Sequence, residues 1–273
     1  MNKIAFLILI HKPIDHLYSY AKYYKDVNFY IHVDAKANLD EIKKGLVGAN
    51  NIYFVENRIS VNWGGFSMVQ ATLNLMNYAL QHDVDNDFFH LISGDDVILS
   101  DKLYWEDNTI YMDFRSAEEN RYRVRFNSVF ADTLYQRRAF SKLLTQAIKF
   151  FDKLIGTQKK YYIGSQWFSI RREQLCVMLN SITQSDIKFF TRKLCPDEHF
   201  FQYLIKKNNL IKNLSKDNRR FLIFDKSFQN GSSPIFLSLE QLLKSQKEGL
   251  WFARKVDQET MKNFYNFRSS VEI

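Results

Sequence analysis

Cysteine, glycine and proline are all scarce in this chain of 273 residues, which has 2 cysteines, 9 glycines and 3 prolines. Two cysteines cannot form the disulfide framework of a small secreted domain, so the sequence favours a reducing compartment. The low glycine and proline contents argue against long disordered linkers. With 46% hydrophobic residues, the chain is able to bury a sizeable core. We therefore predict one domain over residues 1–273.

The sequence also lacks an apolar run of the roughly 18–20 residues that a membrane-spanning helix needs. The run Ile4–Ile10 is short for the core of a signal peptide, and no small-residue cleavage site follows it. A buried β-strand fits this run better. These features predict a cytoplasmic protein.

Acidic residues are fewer than basic residues, and the formal net charge is +8. Such a charge predicts an anionic partner, which could be a nucleotide or sugar phosphate, an acidic membrane surface, or nucleic acid. The sequence contains no nucleic-acid-binding motif, and its 6 histidines form neither an H-E-x-x-H motif nor a zinc-type spacing with cysteine. The G-x-S-x-G elbow of serine hydrolases is also absent. A Ser or Cys nucleophile therefore has little support.

Strands and helices alternate along the first part of the chain. Strands are predicted at Ile4–Ile10, Val27–Val33, Ile52–Val55 and Phe88–Ile92, with helices after Pro13, at Leu39–Leu46 and at Phe66–Leu80. This alternation predicts an α/β fold with a mainly parallel sheet flanked by helices. Ligands of such sheets bind beyond the carboxyl ends of the strands. The strand-end residues Ile10, His11, Asp34 and Ser93–Asp96 are therefore candidates for a binding site.

The second part of the chain begins with a basic segment. Arg121, Arg123 and Arg125 alternate as on a strand, and residues 140–155 have the pattern of a basic amphipathic helix. A turn at Gly164 leads into a predicted strand and then a helix from Arg171. Further elements are predicted as a helix after Cys195, a strand at Phe221–Phe224, a helix at Ser238–Ser245 and a strand at Leu250–Ala253.

Two single carboxylates are candidates for chemistry, and each has a structural alternative. Glu198 follows Pro196 and Asp197 at a predicted helix start, where a carboxylate can simply complement the helix dipole or can act as a general base. Asp34 could accept a hydrogen bond from a uracil or a ribose, or it could cap a turn.

Paired residues and a glycine loop give weaker signals. Asp95-Asp96 resembles a metal-binding pair, but adjacent side chains on an extended chain point in opposite directions, so Asp96 fits better as a wall or turn residue. Arg254-Lys255 could neutralise a diphosphate or lie solvated on the surface. Trp167 could stack on a sugar ring or pack in the core. Gly64-Gly65 precedes a helix whose amino terminus could attract phosphate.

Six segments, in this order along the chain, resemble one family of enzymes. They are Phe29–Lys36 (FYIHVDAK), Arg58 with Val61–Ala71, His90–Asp96 (HLISGDD), Gly164–Phe168, Pro196–Glu198 and Phe252–Lys255 (FARK). The family is that of the core-2/I-branching β-1,6-N-acetylglucosaminyltransferases and peptide O-xylosyltransferases. The resemblance covers about residues 3–256, and the order of the six segments makes it highly specific.

The resemblance implies a GT-A-type fold, with a nucleotide-binding half at about residues 1–110 and an acceptor-binding and catalytic half at about residues 111–273. It implies an inverting transferase that moves a sugar from a UDP-sugar donor to a hydroxyl of a glycan or lipid-linked oligosaccharide. N-acetylglucosamine is the preferred donor sugar, and xylose and glucuronic acid stay open. Branching enzymes work without a divalent metal, so we expect no metal site and no cofactor.

Carried over by position, the resemblance makes Glu198 the catalytic base. It places the uridine at Asp34 and the strand end Ile10-His11, with Arg58 nearby, and makes Lys255 a contact of the diphosphate. Beside these we predict Asp96 and Arg254 as further nucleotide-binding residues, and Ser165 and Trp167 as acceptor-binding residues. The second diphosphate-binding arginine of the branching enzymes would fall at Ser232-Ser233-Pro234, which offers no cation, so Arg254 is a hypothetical replacement. After the segment ending at Asp96 the family usually has a proline, where this chain has Val97-Ile98.

Secreted members of the family carry a membrane anchor and many disulfides, which this sequence does not show. We therefore expect a bacterial cytoplasmic member that acts in surface polysaccharide synthesis, with peripheral contact to the anionic inner face of the membrane. Two alternatives from other classes stay open. One is a metal-dependent phosphoesterase using Asp34, Asp95 and Asp96, and the other is a basic nucleic-acid-binding protein.

Overall fold

The structure, a computed structural model, describes residues 3–14, 16–136, 138–224 and 234–271. The strands are β1 Lys3–Ile10, β2 Val27–Val33, β3 Ile52–Phe54, β4 Asn86–Ser93, β5 Asp96–Ile98, β6 Tyr111–Met112, β7 Arg115–Ser116, β8 Tyr162–Ile163, β9 Phe168–Arg171, β10 Arg220–Leu222 and β11 Phe252–Arg254. The helices are α1 His16–Tyr23, α2 Leu39–Lys44, α3 Phe66–His82, α4 Tyr122–Arg125, α5 Ala139–Ile155, α6 Arg172–Asn180, α7 Gln184–Phe190, α8 Phe200–Lys207, α9 Leu239–Lys247 and α10 Gln258–Val271, with 3-10 turns at Pro196–Glu198 and Leu210–Asn213.

A six-stranded sheet in the order β3-β2-β1-β4-β9-β6 forms the centre of the molecule. The strands from β3 to β4 are parallel, and β9 is antiparallel to both of its neighbours. The carboxyl ends of β1 and β2 lie side by side, since Ile10 is in register with Val33. The mainly parallel α/β sheet predicted from the sequence is confirmed.

The sheet is buried on both faces because its strands are apolar at successive positions. In β1, Ala5 and Leu7 pack in the core beneath α3, α6 and α8, whereas Phe6 and Ile8 pack in the opposite core beneath α1 and α2. Alternate side chains of a strand point to opposite faces, so each face receives its own apolar set. The unbroken apolar run at the amino terminus therefore follows from its position inside the sheet.

A second sheet of three strands in the order β10-β11-β5 joins the end of the chain to the turn after β4. β5 is antiparallel to β11 and places Asp96 directly opposite Arg254. A small core that includes Val97, Ala253 and Phe264 packs behind this sheet. The pairing brings together Asp96 and Arg254, which are 158 positions apart in the sequence.

Most predicted elements are present, with ends that differ by a few residues. Helix α5 begins at Ala139 and ends at Ile155, which confirms the amphipathic helix predicted at residues 140–155. Residues 232 and 233, where the second diphosphate-binding arginine of the family was sought, lie outside the described residues. In the part of the chain that the structure describes, no helix is both long and apolar enough to cross a membrane.

The strand predicted from the alternating arginines is wrong. Tyr122–Arg125 is a one-turn helix, α4, in which the Arg125 N–H donates to the Arg121 carbonyl at 2.9 Å and the Phe126 N–H donates to the Tyr122 carbonyl at 3.3 Å. Arg121 and Arg125 both bind Asp152 of α5, while Arg123 points toward Glu198. The alternation of Arg121, Arg123 and Arg125 along the sequence is therefore not the alternation of a β-strand.

The helix predicted to start around Glu198 is also divided differently. Pro196–Glu198 forms a separate 3-10 turn, and α8 begins only at Phe200. Cys195 precedes the turn with a left-handed backbone, at φ 47°. Glu198 therefore lies in a tight turn before the helix and not within the first turn of α8.

Candidate active site

A cleft with a volume of about 830 Å³ opens at the carboxyl ends of β1, β2 and β4. The strand ends contribute Ile10, His11, Asp34 and Asp95 to its wall. The remaining polar lining includes Lys12, His32, Lys36, Ser93, Asp113, Arg115, Ser165, Gln166, Asp197, Glu198, Asn218, Arg220 and Arg254. Cations and carboxylates therefore face one another across the space where the sequence predicted a ligand.

The wall at β1 and β2 is held by backbone hydrogen bonds. The Asp34 N–H donates to the Ile10 carbonyl at 2.8 Å, and Asp34 Oδ1 accepts from the Lys36 N–H at 2.9 Å. His32 Nε2 accepts from the Ile59 N–H at 2.9 Å, and burial lowers the pKa of His32 to about 4. The neutral imidazole and the buried Asp34 thus fix the loop while Asp34 still borders the cleft.

The carboxylates of the turn after β4 point apart. Asp96 accepts from the Ser93 N–H at 3.0 Å and from Arg254 Nη1 at 2.7 Å, and it is 3% exposed. Asp95 contacts Lys12 Nζ at 2.9 Å and Lys255 Nζ at 3.3 Å. Burial alone would raise the pKa of Asp95, but the two lysines lower it below its ordinary value.

The arrangement leaves no acidic pair that converges on one point. Among the described residues, no group of three or more His, Cys, Asp and Glu side chains has the grouping of a metal site. The two aspartates instead bind cations of the same chain. Arg254 also lies over the ring of Trp167, at 4.9 Å from its centroid, so the cation is held against an aromatic side chain of the cleft wall.

Glu198 presents its carboxylate to the cleft and is bound by one arginine. Arg123 Nη1 donates to Glu198 Oε2 at 2.6 Å, and the Glu198 side chain is 38% exposed. The Gly164 N–H donates to the Glu198 carbonyl at 3.0 Å, which ties the Gly164–Phe168 segment to the turn. A carboxylate that is oriented by a cation and open to a ligand has the geometry of a general base.

Asp197 has surroundings that differ from those of Glu198. Burial and the negative charge of Glu198 raise the pKa of Asp197 to about 7, and its Oδ1 atom is buried without a hydrogen-bond partner among the described residues. Gln166 also lines the cleft, is 5% exposed, and has both side-chain polar atoms unpaired among those residues. Such groups are available to a polar ligand.

The glycine loop before α3 does not form a phosphate site. The Ser67 N–H at the start of α3 donates to Asp132 Oδ2 at 2.8 Å, so a carboxylate of the same chain occupies the helix amino terminus. A Cβ atom on Gly65 would lie 2.1 Å from the Asp132 side chain. Gly64, with φ +68°, lies against Cys195. The glycines therefore permit close packing around the 3-10 turn that carries Glu198.

The structure brings together seven of the predicted site residues at this cleft. They are Ile10, His11, Asp34, Ser165, Trp167, Glu198 and Arg254. Arg58, Asp96 and Lys255 do not line it. Arg58 donates to the carbonyl of Ala37 at 3.1 Å and holds the loop after β2. Asp96 binds Arg254 and Lys255 binds Asp95, so each contacts a residue that lines the cleft.

Sequence reasoning missed Arg123 and Arg220. Arg220 lines the cleft, donates to Ser169 Oγ at 3.1 Å, and has a pKa that burial lowers to about 9. Arg123 lies between two arginines that bind elsewhere. The three alternate arginines were visible in the sequence, but nothing in the pattern distinguishes the one that reaches Glu198.

Comparisons with known proteins agree with this architecture. The central sheet, its flanking helices and the cleft at the strand ends are those of a GT-A-like glycosyltransferase. The sequence profile of the Core-2/I-Branching enzyme family matches residues 4–242, and the chain belongs to this family. This membership agrees with the family that the six sequence segments resemble.

Two curated relatives match at low identity. Xylosyltransferase 1 of Rattus norvegicus is 24% identical over 218 residues, which are 76% of this chain and 26% of the relative. Xylosyltransferase of Ciona intestinalis is 25% identical over 230 residues, which are 80% of this chain and 26% of the relative. The chain therefore spans about a quarter of the length of these relatives.

Proposed function

We propose that this protein is an inverting glycosyltransferase that moves a sugar from a UDP-sugar to a hydroxyl group of a glycan or lipid-linked oligosaccharide. The observation that carries the proposal is the Glu198 carboxylate, which faces the cleft and is bound by Arg123 at 2.6 Å. Asp34 and the end of β1 would receive the uridine, and the basic residues around Asp95 would face the diphosphate.

The reaction is a single in-line displacement. Glu198 takes the proton of the acceptor hydroxyl as its oxygen attacks the anomeric carbon, and the bond to the UDP oxygen breaks on the opposite face. An α-linked donor then gives a β-linked product. Arg123 orients the carboxylate, and a positioned general base contributes about 10²–10⁴-fold to the rate. Trp167 and Ser165, which follow Gly164 and its hydrogen bond to the Glu198 carbonyl, would contact the acceptor.

The charge that develops on the UDP leaving group requires cations. Arg254 and Lys12 lie at the cleft, and Lys255 is connected to it through Asp95 at 3.3 Å. Positioned cations can stabilise a diphosphate in place of a metal ion. Metal-independent transfer is therefore part of the proposal, and the engagement of both Asp95 and Asp96 by basic side chains supports it.

N-acetylglucosamine is the donor sugar that we propose first, and xylose is the second candidate. The motif series favours the former, while the similarity to two proteins named as xylosyltransferases favours the latter. The proposed acceptor belongs to surface polysaccharide synthesis in a bacterial cytoplasm.

The donor is tested by calorimetry with UDP, UDP-N-acetylglucosamine, UDP-xylose and UDP-glucuronic acid. A donor present at a hundred times its dissociation constant raises the free energy of unfolding by about 2.7 kcal/mol, so thermal shifts provide a second readout. Lys255→Ala should weaken UDP binding, with Lys247→Ala as a control on the exposed side of α9.

If no UDP-sugar binds, the proposal is wrong. Phosphate release without an acceptor would instead favour a phosphoesterase, and steeply salt-dependent oligonucleotide binding a nucleic-acid-binding protein.

A further inference from the structure

Helix α5 exposes a wide apolar face to solvent. Six of its large apolar side chains are at least 50% exposed, namely Phe140, Leu143, Phe150, Phe151, Leu154 and Ile155. The patch continues before the helix through Tyr135, whose ring lies 6.3 Å from that of Phe140. Scattered apolar residues are normal at a protein surface, but a continuous patch of this kind marks an interaction site.

The opposite side of α5 is fixed to the protein, so its orientation is defined. Asp152 is 2% exposed and accepts from Arg121 Nε at 2.7 Å and from Arg125 Nη1 at 3.0 Å. Ser141, eleven residues earlier and on the same side of the helix, donates through Oγ to the Tyr135 carbonyl at 2.6 Å. With about 3.6 residues per turn, the apolar residues of α5 must then face outward.

The flank of this apolar face is basic. Lys142, Lys149 and Lys153 recur at spacings of seven and four and form one row along α5, and Lys159 and Lys160 follow the helix. Asp152 is the single acidic residue in the sequence of α5, and its charge is bound by two arginines. The surface therefore combines an apolar face with an adjacent row of cations.

We propose that α5 docks in the interface of an anionic lipid bilayer, with its apolar face in the acyl region and its lysine row at the phosphates. Amphipathic helices with a basic flank bind membranes in this way, with the apolar face buried by about 5–10 Å. Each lysine near an anionic leaflet contributes about 1 kcal/mol of attraction. The inference depends on the surface of α5 and not on the proposed reaction.

Charge favours a bilayer over a second copy of the chain as the occupant. In a symmetric pair of α5 helices the lysine rows of the two copies would also approach each other, which costs energy because like charges repel. Phosphate groups of lipids complement the same row. The helix α4, which binds Asp152 through Arg121 and Arg125 and binds Glu198 through Arg123, then connects the docked surface directly to the catalytic cleft.

The test measures sedimentation of the full chain with vesicles of phosphatidylcholine alone and of equimolar phosphatidylcholine and phosphatidylglycerol. We expect the unchanged protein to bind the mixed vesicles about tenfold or more tightly than the neutral ones. The triple variant Leu143→Ser, Phe150→Ser, Leu154→Ser should lose about tenfold or more of its binding to mixed vesicles. The double variant Lys142→Gln, Lys153→Gln should bind the mixed vesicles about tenfold or more weakly than the unchanged protein, and an unchanged preference for the mixed vesicles would overturn the role of the lysine row.

Val47→Ser with Val84→Ser is the matched control, because these valines are 75% and 80% exposed outside α5. This variant should bind vesicles as the unchanged protein does, and circular dichroism checks that every variant is folded. Equal vesicle binding by the triple variant and the unchanged protein would overturn the proposal. The proposal would also be overturned if the unchanged protein were a dimer without lipid and the triple variant a monomer, because α5 would then be an interface between copies.

Discussion

Glu198 and Asp197 are adjacent carboxylates, yet their surroundings differ. Glu198 is 38% exposed on its side chain and is bound by Arg123, whereas Asp197 has a buried oxygen without a partner among the described residues. A general base must be reachable by the acceptor and must be oriented. Glu198 meets both conditions at this turn.

Replacing Glu198 by Gln should abolish transfer while leaving UDP binding intact. The amide keeps the shape of the side chain but cannot accept the proton, so kcat should fall by about 10²–10⁴-fold. Initial rates with the best donor measure the loss, and calorimetry measures UDP affinity. Glu240→Gln, at the start of α9, is the control. If the Glu198→Gln variant turned over at a rate near that of the unchanged protein, Glu198 would not be the general base.

Asp197 should make stability depend on pH. Its pKa is raised from 3.8 to about 7 by burial and by the charge of Glu198. Because the pKa of this carboxyl is higher in the folded protein than in the unfolded chain, the protonated form stabilises the fold. Its contribution to the free energy of unfolding is complete below pH 3.8 and is lost as the pH rises through about 7.

Asp197→Asn keeps the neutral form at every pH and therefore removes this dependence. We subtract the free energy of unfolding of the unchanged protein from that of the variant. This difference should be more positive at about pH 8 than at about pH 5. Urea unfolding of both proteins at the two pH values gives the comparison. A stability difference that is the same at both values would show that Asp197 does not titrate in this window.

At the scale of elements, α4 is the connection between the amphipathic helix and the candidate base. Asp152 of α5 is bound by Arg121 and Arg125, and its side chain is 4% exposed. Removing one partner of a buried ion pair leaves the other charges without compensation. The attachment of α5 should therefore depend strongly on this one carboxylate.

Asp152→Asn should lower the free energy of unfolding by about 3 kcal/mol, because two arginines lose their counter-ion. Urea denaturation provides the measurement. The matched control is Asp217→Asn, whose pair with Arg219 is 3.7 Å long with side chains 52% and 39% exposed. Such a surface pair is worth less than about 1 kcal/mol. If both variants lose the same stability, the Asp152 cluster does not hold α5.

The elements that could be predicted from the sequence are those with one clear period. β2 is mostly apolar and is buried throughout, and its predicted bounds, Val27–Val33, are those of the structure, because both faces of a parallel sheet are covered. α4 was predicted as a strand because three alternate arginines gave a false period of two. The contacts of Arg123 with Glu198 and of Arg254 with Asp96 join residues 75 and 158 positions apart, which no local pattern encodes.

At the scale of the whole molecule, cations are concentrated where the two sheets meet. Arg254 comes from the last strand and binds Asp96, while Lys12 after β1 and Lys255 both bind Asp95. Metal-binding carboxylates need free oxygens that converge, and each of these aspartates is already bound by a basic side chain. The chain of net charge +8 therefore supplies positive charge to the cleft from its own residues.

This distribution of charge predicts that transfer survives removal of divalent metals. Initial rates in the presence of EDTA should equal those with added Mg²⁺ or Mn²⁺, because in the proposed mechanism basic side chains, and not a metal ion, face the leaving diphosphate. Since these cations border an open cleft, UDP affinity should also fall as ionic strength rises and the charges are screened over about 10 Å or less. Lys12→Ala should weaken UDP binding and flatten that salt dependence, with Lys44→Ala as its control, because Lys44 is exposed and does not line the cleft. Complete loss of transfer in EDTA with recovery in Mn²⁺ would reverse the assignment, because Asp95 and Asp96 would then have to release their lysine and arginine partners to hold the metal.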